Sequence, residues 1–110
     1  MSRIIIAGTE TSDIGTALAE RGPSVTHVPA PVTDGALAEA GLGEADLFVL
    51  TAQEEATAIP IVREQRPDIT IVVYNEAGVP DFASHLADLI IDPAAIEQPV
   101  VIEELLDRID

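Results

Sequence analysis

The sequence predicts an α/β protein: a three-layer α-β-α sandwich around a five-stranded parallel sheet. Two observations carry this. Short β-branched, apolar runs alternate with segments of helical periodicity along the whole chain. Strands that alternate with helices in this way build a parallel sheet covered on both faces. The 110 residues suffice for one small domain over 1–110, with no repeat, linker or low-complexity stretch.

The elements follow in order. Arg3–Ala7 is a β-branched run and reads as a buried strand. Ser12 or Asp13 can cap a helix that presents Ile14, Ala17 and Leu18 on one face and ends at Gly22. Ser24–Val28 is the second strand. Pro29 and Pro31 stop it, since proline has no N–H for a ladder. Thr33 or Asp34 caps a short helix that closes at Gly41, and Asp46–Leu50 is the third strand. The next helix runs to about Arg66. Pro60 must lie in its first turn or kink it. Ile69–Tyr74 is the fourth strand, followed by a turn and a short helix up to Ala87. Leu89–Asp92 is the fifth strand, and the last helix lies within Ala94–Ile109.

Charge is the most unusual property. There are 20 acidic and 5 basic residues, a formal net charge of −15, and every basic residue is Arg. Such an excess destabilises a compact fold by self-repulsion. At molar salt the Debye length falls to about 3 Å and the repulsion fades. Carboxylates without lysine therefore resemble a cytoplasmic protein of an extreme halophile. No basic face exists to neutralise phosphates, which argues against nucleic-acid binding. No apolar run approaches the roughly 20 residues of a membrane span, so no membrane insertion is expected. The N-terminus has one positive charge and too short an apolar run for a secretory signal, so a cytoplasmic location is expected. With no cysteine, disulfides and thiol chemistry are excluded.

The segment from Ile4 to Gly22 reads as a strand, a turn and a helix, the arrangement that binds phosphates at helix N-termini. The turn opens at Gly8 and closes at Gly15. The middle Gly of a G-x-G-x-x-G is missing, and the loop is two residues too long. It also resembles the flavodoxin phosphate loop T-x-T-G-x-T. Thr9 and Thr11 match, Ser12 stands for the Gly and Ile14 for the last Thr. Hydroxyls of Thr9, Thr11 and Ser12 could hold a phosphate, but Glu10 and Asp13 would repel it. The candidate cofactor-binding residues are Gly8, Thr9, Thr11, Ser12, Gly15 and Thr51. The candidate ligands are a nucleotide (NAD, ATP or AMP) and, with only Tyr74 placed to stack, FMN. A capped turn without a ligand competes with both.

From Leu37 onward the chain resembles the RCK or KTN nucleotide-binding domain that regulates potassium channels and transporters. The matching pieces are Ala40–Gly41–Leu42, Ala45–Asp46, Thr51, Glu54–Glu55, and Ala87–Asp88 through Asp92–Pro93. The resemblance implies a Rossmann-type sheet, here lacking one β–α unit after Val28 and the acid that would bind a ribose. Removing one outer strand from the order 3-2-1-4-5-6 leaves 2-1-3-4-5, the flavodoxin-like order. It also implies a regulatory module that associates with itself or with a protein partner.

A phosphoacceptor receiver domain has the same order. It needs an acidic pair after strand one, an Asp ending strand three and a Lys ending strand five. Strand three ends in Thr51–Ala52 and lysine is absent, so that reading is set aside. Thr51, Asn75 and Asp92 end strands three to five, the edge where α/β sheets bind ligands. His27 and His85 lack an i, i+4 partner, so no histidine metal site is expected. Glu54–Glu55 could hold a cation, but complementing a helix dipole explains them. No nucleophile–base pair is visible. The expected function is a small, non-catalytic regulatory or interaction module. A nucleotide- or FMN-binding enzyme or redox carrier using the Gly8–Gly15 loop is the alternative.

Overall fold

The computed structural model describes residues 2–8 and 14–109. These residues form one five-stranded, all-parallel sheet in the order β2-β1-β3-β4-β5. The strands are β1 (Arg3–Ala7), β2 (Ser24–Val28), β3 (Leu47–Leu50), β4 (Thr70–Tyr74) and β5 (Leu89–Ile91). The helices are α1 (Ile14–Ala19), α2 (Asp34–Glu39), α3 (Ala58–Gln65), α4 (Asp81–Ser84) and α5 (Gln98–Ile109). The expected fold class and strand order are both found.

Burial explains the order. In the central strands β1, β3 and β4 nearly every residue is buried, because each is covered on both faces. In β2 exposed and half-buried residues alternate up to Val28, as an edge strand requires. Period-two alternation then sorts the side chains into two cores. Ile5, Ala7, Phe48, Leu50, Ile71 and Val73 pack with Leu37, Ile59, Val62 and Ala83 of α2, α3 and α4. Ile4, Ile6, Leu47, Val49, Val72 and Tyr74 pack with Ile14 and Leu18 of α1 and Val101, Ile102 and Leu105 of α5.

Local chemistry sets the ends. Thr33 caps α2, its hydroxyl accepting from the Ala36 amide at 3.1 Å. Pro60 falls in the first turn of α3, where its missing N–H costs nothing. The predicted helix before it is split: Gln53–Glu55 forms a separate 3₁₀ turn. The predicted caps Ser12 and Asp13 lie outside the described residues.

The N-terminal edge of the sheet carries one device twice. Asp46, just before β3, accepts from the Arg3 amide of β1 at 2.9 Å, while its own amide donates to the Arg3 carbonyl at 2.8 Å. Asp88, just before β5, accepts from the Ile71 amide of β4 at 2.7 Å, and its amide donates to the Ile71 carbonyl at 2.8 Å. Each Asp closes a ring with the neighbouring strand and extends the ladder by one step. Both follow an alanine and precede a leucine, in Ala45–Asp46–Leu47 and Ala87–Asp88–Leu89.

Candidate functional site

In a parallel sheet every strand delivers its last residue to one edge. Here that edge collects Gly8 after β1, Thr51 after β3, Asn75 after β4 and Asp92 after β5. Of the predicted cofactor-binding residues, Gly8, Gly15 and Thr51 are described; Thr9, Thr11 and Ser12 lie outside the described residues.

Gly8 is spent on packing. Its φ is +117°, and an added Cβ would lie 2.7 Å from the Ala52 Cβ and 2.8 Å from the Ala52 backbone nitrogen. Its amide donates to the Val28 carbonyl at 3.0 Å, and its carbonyl accepts from the His27 Nε2–H at 2.8 Å. Gly15 also serves packing: a Cβ there would come within 3.1 Å of the Ile6 Cδ1, so its absence lets α1 approach β1. The Thr51 hydroxyl donates to the Ala7 carbonyl at 3.2 Å, the same oxygen that accepts the Thr51 amide at 2.9 Å.

Asp92 is exposed, and its carboxylate accepts from the Ala94 amide at 2.9 Å. Asn75 is different. Its side-chain nitrogen and oxygen are both covered, and neither has a hydrogen-bond partner among the described residues. Beside it, burial pushes the Tyr74 phenol above its ordinary pKa, so the ring stays neutral. Glu55, one of the acidic pair considered for a cation, accepts from the Val32 amide at 2.6 Å and so ties down the loop after β2.

A cleft of about 240 Å³ opens on the α1 side of this edge, lined by Ile6, Ile14, Gly15, Val25, His27 and Thr51 among others. His27 is half-buried and lines this cleft. The alternation in β2 carried the signal, since His27 pairs with Ile6 and shares its face.

Comparison with known proteins sharpens the picture. A family model described as "Family of unknown function (DUF7126)" matches residues 4–105. No curated protein gives a significant match. Among solved structures, a chain from the complex of histidine kinase ThkA with response regulator TrrA of Thermotoga maritima aligns with a TM-score of 0.75. Its identity is 18%, over 100% of both chains. An orphan response regulator of H. pylori aligns at 0.74, with 12% identity, over 99% of this chain and 97% of that one. An atypical orphan response regulator with a phosphorylation-independent regulatory mechanism aligns at 0.66, with 12% identity, over 96% and 94%. Identities this low show a shared fold.

One expectation changes. The fold neighbours are response regulators, which overturns the resemblance to the RCK or KTN domain. The motifs that suggested it have structural work: Asp46 and Asp88 fasten neighbouring strands and Asp92 caps a turn. A parallel sheet of either lineage can use them. The receiver domain, set aside on its chemistry, is the fold this chain shares.

Proposed function

The chain belongs to the DUF7126 family, a family of unknown function, and from that premise we propose that it is a non-catalytic regulatory module of receiver-like fold that works by protein contact without accepting a phosphoryl group. The make-up of the C-terminal sheet edge carries this reading. The residue that follows β3 is Thr51, not a carboxylate, and its hydroxyl donates to the Ala7 carbonyl. The residue that follows β5 is Asp92, a negative charge where a phosphoacceptor needs a cation. An anion arriving there would meet repulsion. Two fold neighbours lend support by analogy: one structure holds a response regulator with a histidine kinase, and another is of an atypical response regulator with a phosphorylation-independent regulatory mechanism.

The test is incubation with acetyl phosphate and Mg²⁺, followed by intact mass spectrometry, beside a phosphoaccepting receiver domain as control. The protein is expected to gain no phosphoryl mass while the control does. An acid-labile adduct on this chain would sink the reading.

A second reading, a small nucleotide or FMN at the Gly8–Gly15 loop, has the cleft beside Gly15, His27 and Thr51 in its favour. A raised melting temperature with NAD(H), ATP, AMP, FMN or CTP would establish it.

The net charge of −15 supports a protein adapted to a high-salt cytoplasm. Its melting temperature is expected to climb between low salt and molar KCl as self-repulsion is screened. A flat profile would remove the halophile proposal.

A further inference from the structure

Of the two outer strands of the sheet, β2 is the open one. The other, β5, has three residues and lies between Asp88 and Asp92. β2 has five residues and no charge. It lies in the longest uncharged stretch of the chain, the twelve residues from Gly22 to Thr33, in a protein of net charge −15. No other uncharged stretch exceeds seven residues. Edge strands are commonly guarded against pairing by charged side chains, lysine above all, or by prolines. Here the charges are missing, and prolines stand only at the flanks, Pro23 and Pro29.

The ladder shows what remains open. Along a strand, successive residues turn their amide and carbonyl to opposite sides. The Ser24 amide donates to the Ser2 carbonyl at 2.9 Å, and the Val28 carbonyl accepts from the Gly8 amide at 3.0 Å. Ser24, Thr26 and Val28 therefore face β1, and Val25 and His27 present their amides and carbonyls outward. Pro23 and Pro29 hold the next outward positions, where they have no N–H to offer. The open donors are thus symmetric about Thr26.

That symmetry selects the occupant. In a second copy laid antiparallel about a twofold axis at Thr26, the partner's His27 faces Val25 and the partner's Val25 faces His27. Each pair exchanges two bonds, so four form and every open N–H finds a carbonyl. Pro23 meets the partner's Pro29, where neither side has a donor to lose. A foreign strand would leave its own carbonyls opposite the prolines without a donor. The Thr26 side chains, exposed in a single copy, meet at the axis as a favourable cross-strand pair. Charge agrees. The neutral strip lets a second polyanion approach without setting carboxylate against carboxylate at the contact, and it offers a cationic partner nothing to pair with.

We propose that the chain forms a twofold dimer by antiparallel pairing of β2, centred on Thr26, which joins two five-stranded sheets into one. This goes beyond the proposed function, since the pairing involves neither a phosphoryl group nor the C-terminal edge of the sheet.

The experiment is sedimentation velocity on the full chain across concentrations in about 2 M KCl. There the Debye length is under ~3 Å and repulsion between two polyanions is screened. A monomer–dimer equilibrium is expected. Val25→Pro removes one outward N–H per copy and leaves the bonds to β1 in place. It is expected to raise the dimer Kd roughly thirtyfold, because two of the four bonds are lost. Crosslinking reads the register independently. The chain has no cysteine, so T26C places one thiol per copy, with Cα atoms about 4.5 Å apart across the axis, within disulfide range. S24C, on the same face and also at an exposed position, places its Cα atoms about 14 Å apart. Under mild oxidation T26C is expected to form a disulfide dimer roughly tenfold faster than S24C. A monomer at every concentration would overturn the proposal. Equal crosslinking of the two cysteine variants, or a V25P dimer as tight as wild type, would overturn it too. The cysteine comparison decides whether or not V25P folds. None of these readouts involves phosphoryl transfer, so failure here and failure of the proposed function are separately readable.

Discussion

Replacing Gly8 with Ala should destabilise the protein by about 3 kcal/mol or more, by combining backbone strain with overpacking. Gly8 sits at φ +117°, where a side chain is strained whatever the space around it. A new Cβ would also meet the Ala52 Cβ at 2.7 Å and the Ala52 nitrogen at 2.8 Å. Ala52 cannot easily retreat. The Thr51 amide before it is bonded to Ala7, and its own carbonyl accepts from the Glu55 amide at 3.1 Å. Moving Gly8 instead would break its bonds to Val28 and His27. Gly22 provides the internal control. Its φ is +120°, but a Cβ there would meet nothing within 4 Å. Gly22→Ala should therefore cost only the strain, about 1 kcal/mol. Urea unfolding of both variants measures the difference. Equal losses would refute the close-packing role assigned to Gly8.

The Arg63→Ala variant should lose about 2–4 kcal/mol, largely through hydrogen bonds. The guanidinium donates to the Leu86 carbonyl from Nε at 3.3 Å and from Nη2 at 2.8 Å, and from Nη1 to the Pro67 and Ile69 carbonyls at 2.9 Å each. Nη2 also reaches the Asp88 Oδ2 at 2.9 Å. One planar side chain thus joins the end of α3, the start of β4 and the approach to β5. The Asp88 side chain is 40% exposed, so the ion pair itself is screened and adds little. The carbonyls left without a donor carry the loss. Added KCl should therefore not restore the variant. Arg63→Lys should recover only part, because an ammonium cannot reproduce the fork. Chemical denaturation at low and molar KCl tests this, and full rescue by salt would show that charge, not bonding, dominates.

Much of the fold was legible because its signals are local. Continuous runs such as Ile4–Ile6 and Leu47–Leu50 mark strands covered on both sides, and Gly22, Gly41 and the prolines mark where elements stop. The strand order was reached through a resemblance that the fold neighbours overturn, so the right topology came with the wrong lineage. Ala–Asp–Leu before two strands suggested a family when it reports a way of fastening strands. At the sheet edge the reading found Thr51, Asn75 and Asp92, since strand ends follow from the pattern. It missed what Gly8 and Gly15 do, because their missing Cβ atoms matter only against Ala52 and Ile6, which are distant in sequence. It also missed Arg63, whose partners lie up to 25 residues away.

The two aspartate clasps, at Asp46 and Asp88, lie at the end of the sheet opposite Gly8, Thr51, Asn75 and Asp92. The fold is thus anchored at its heel by side chains that need no ligand. At the opposite lip, a change at Thr51, Asn75 or Asp92 leaves both clasps untouched.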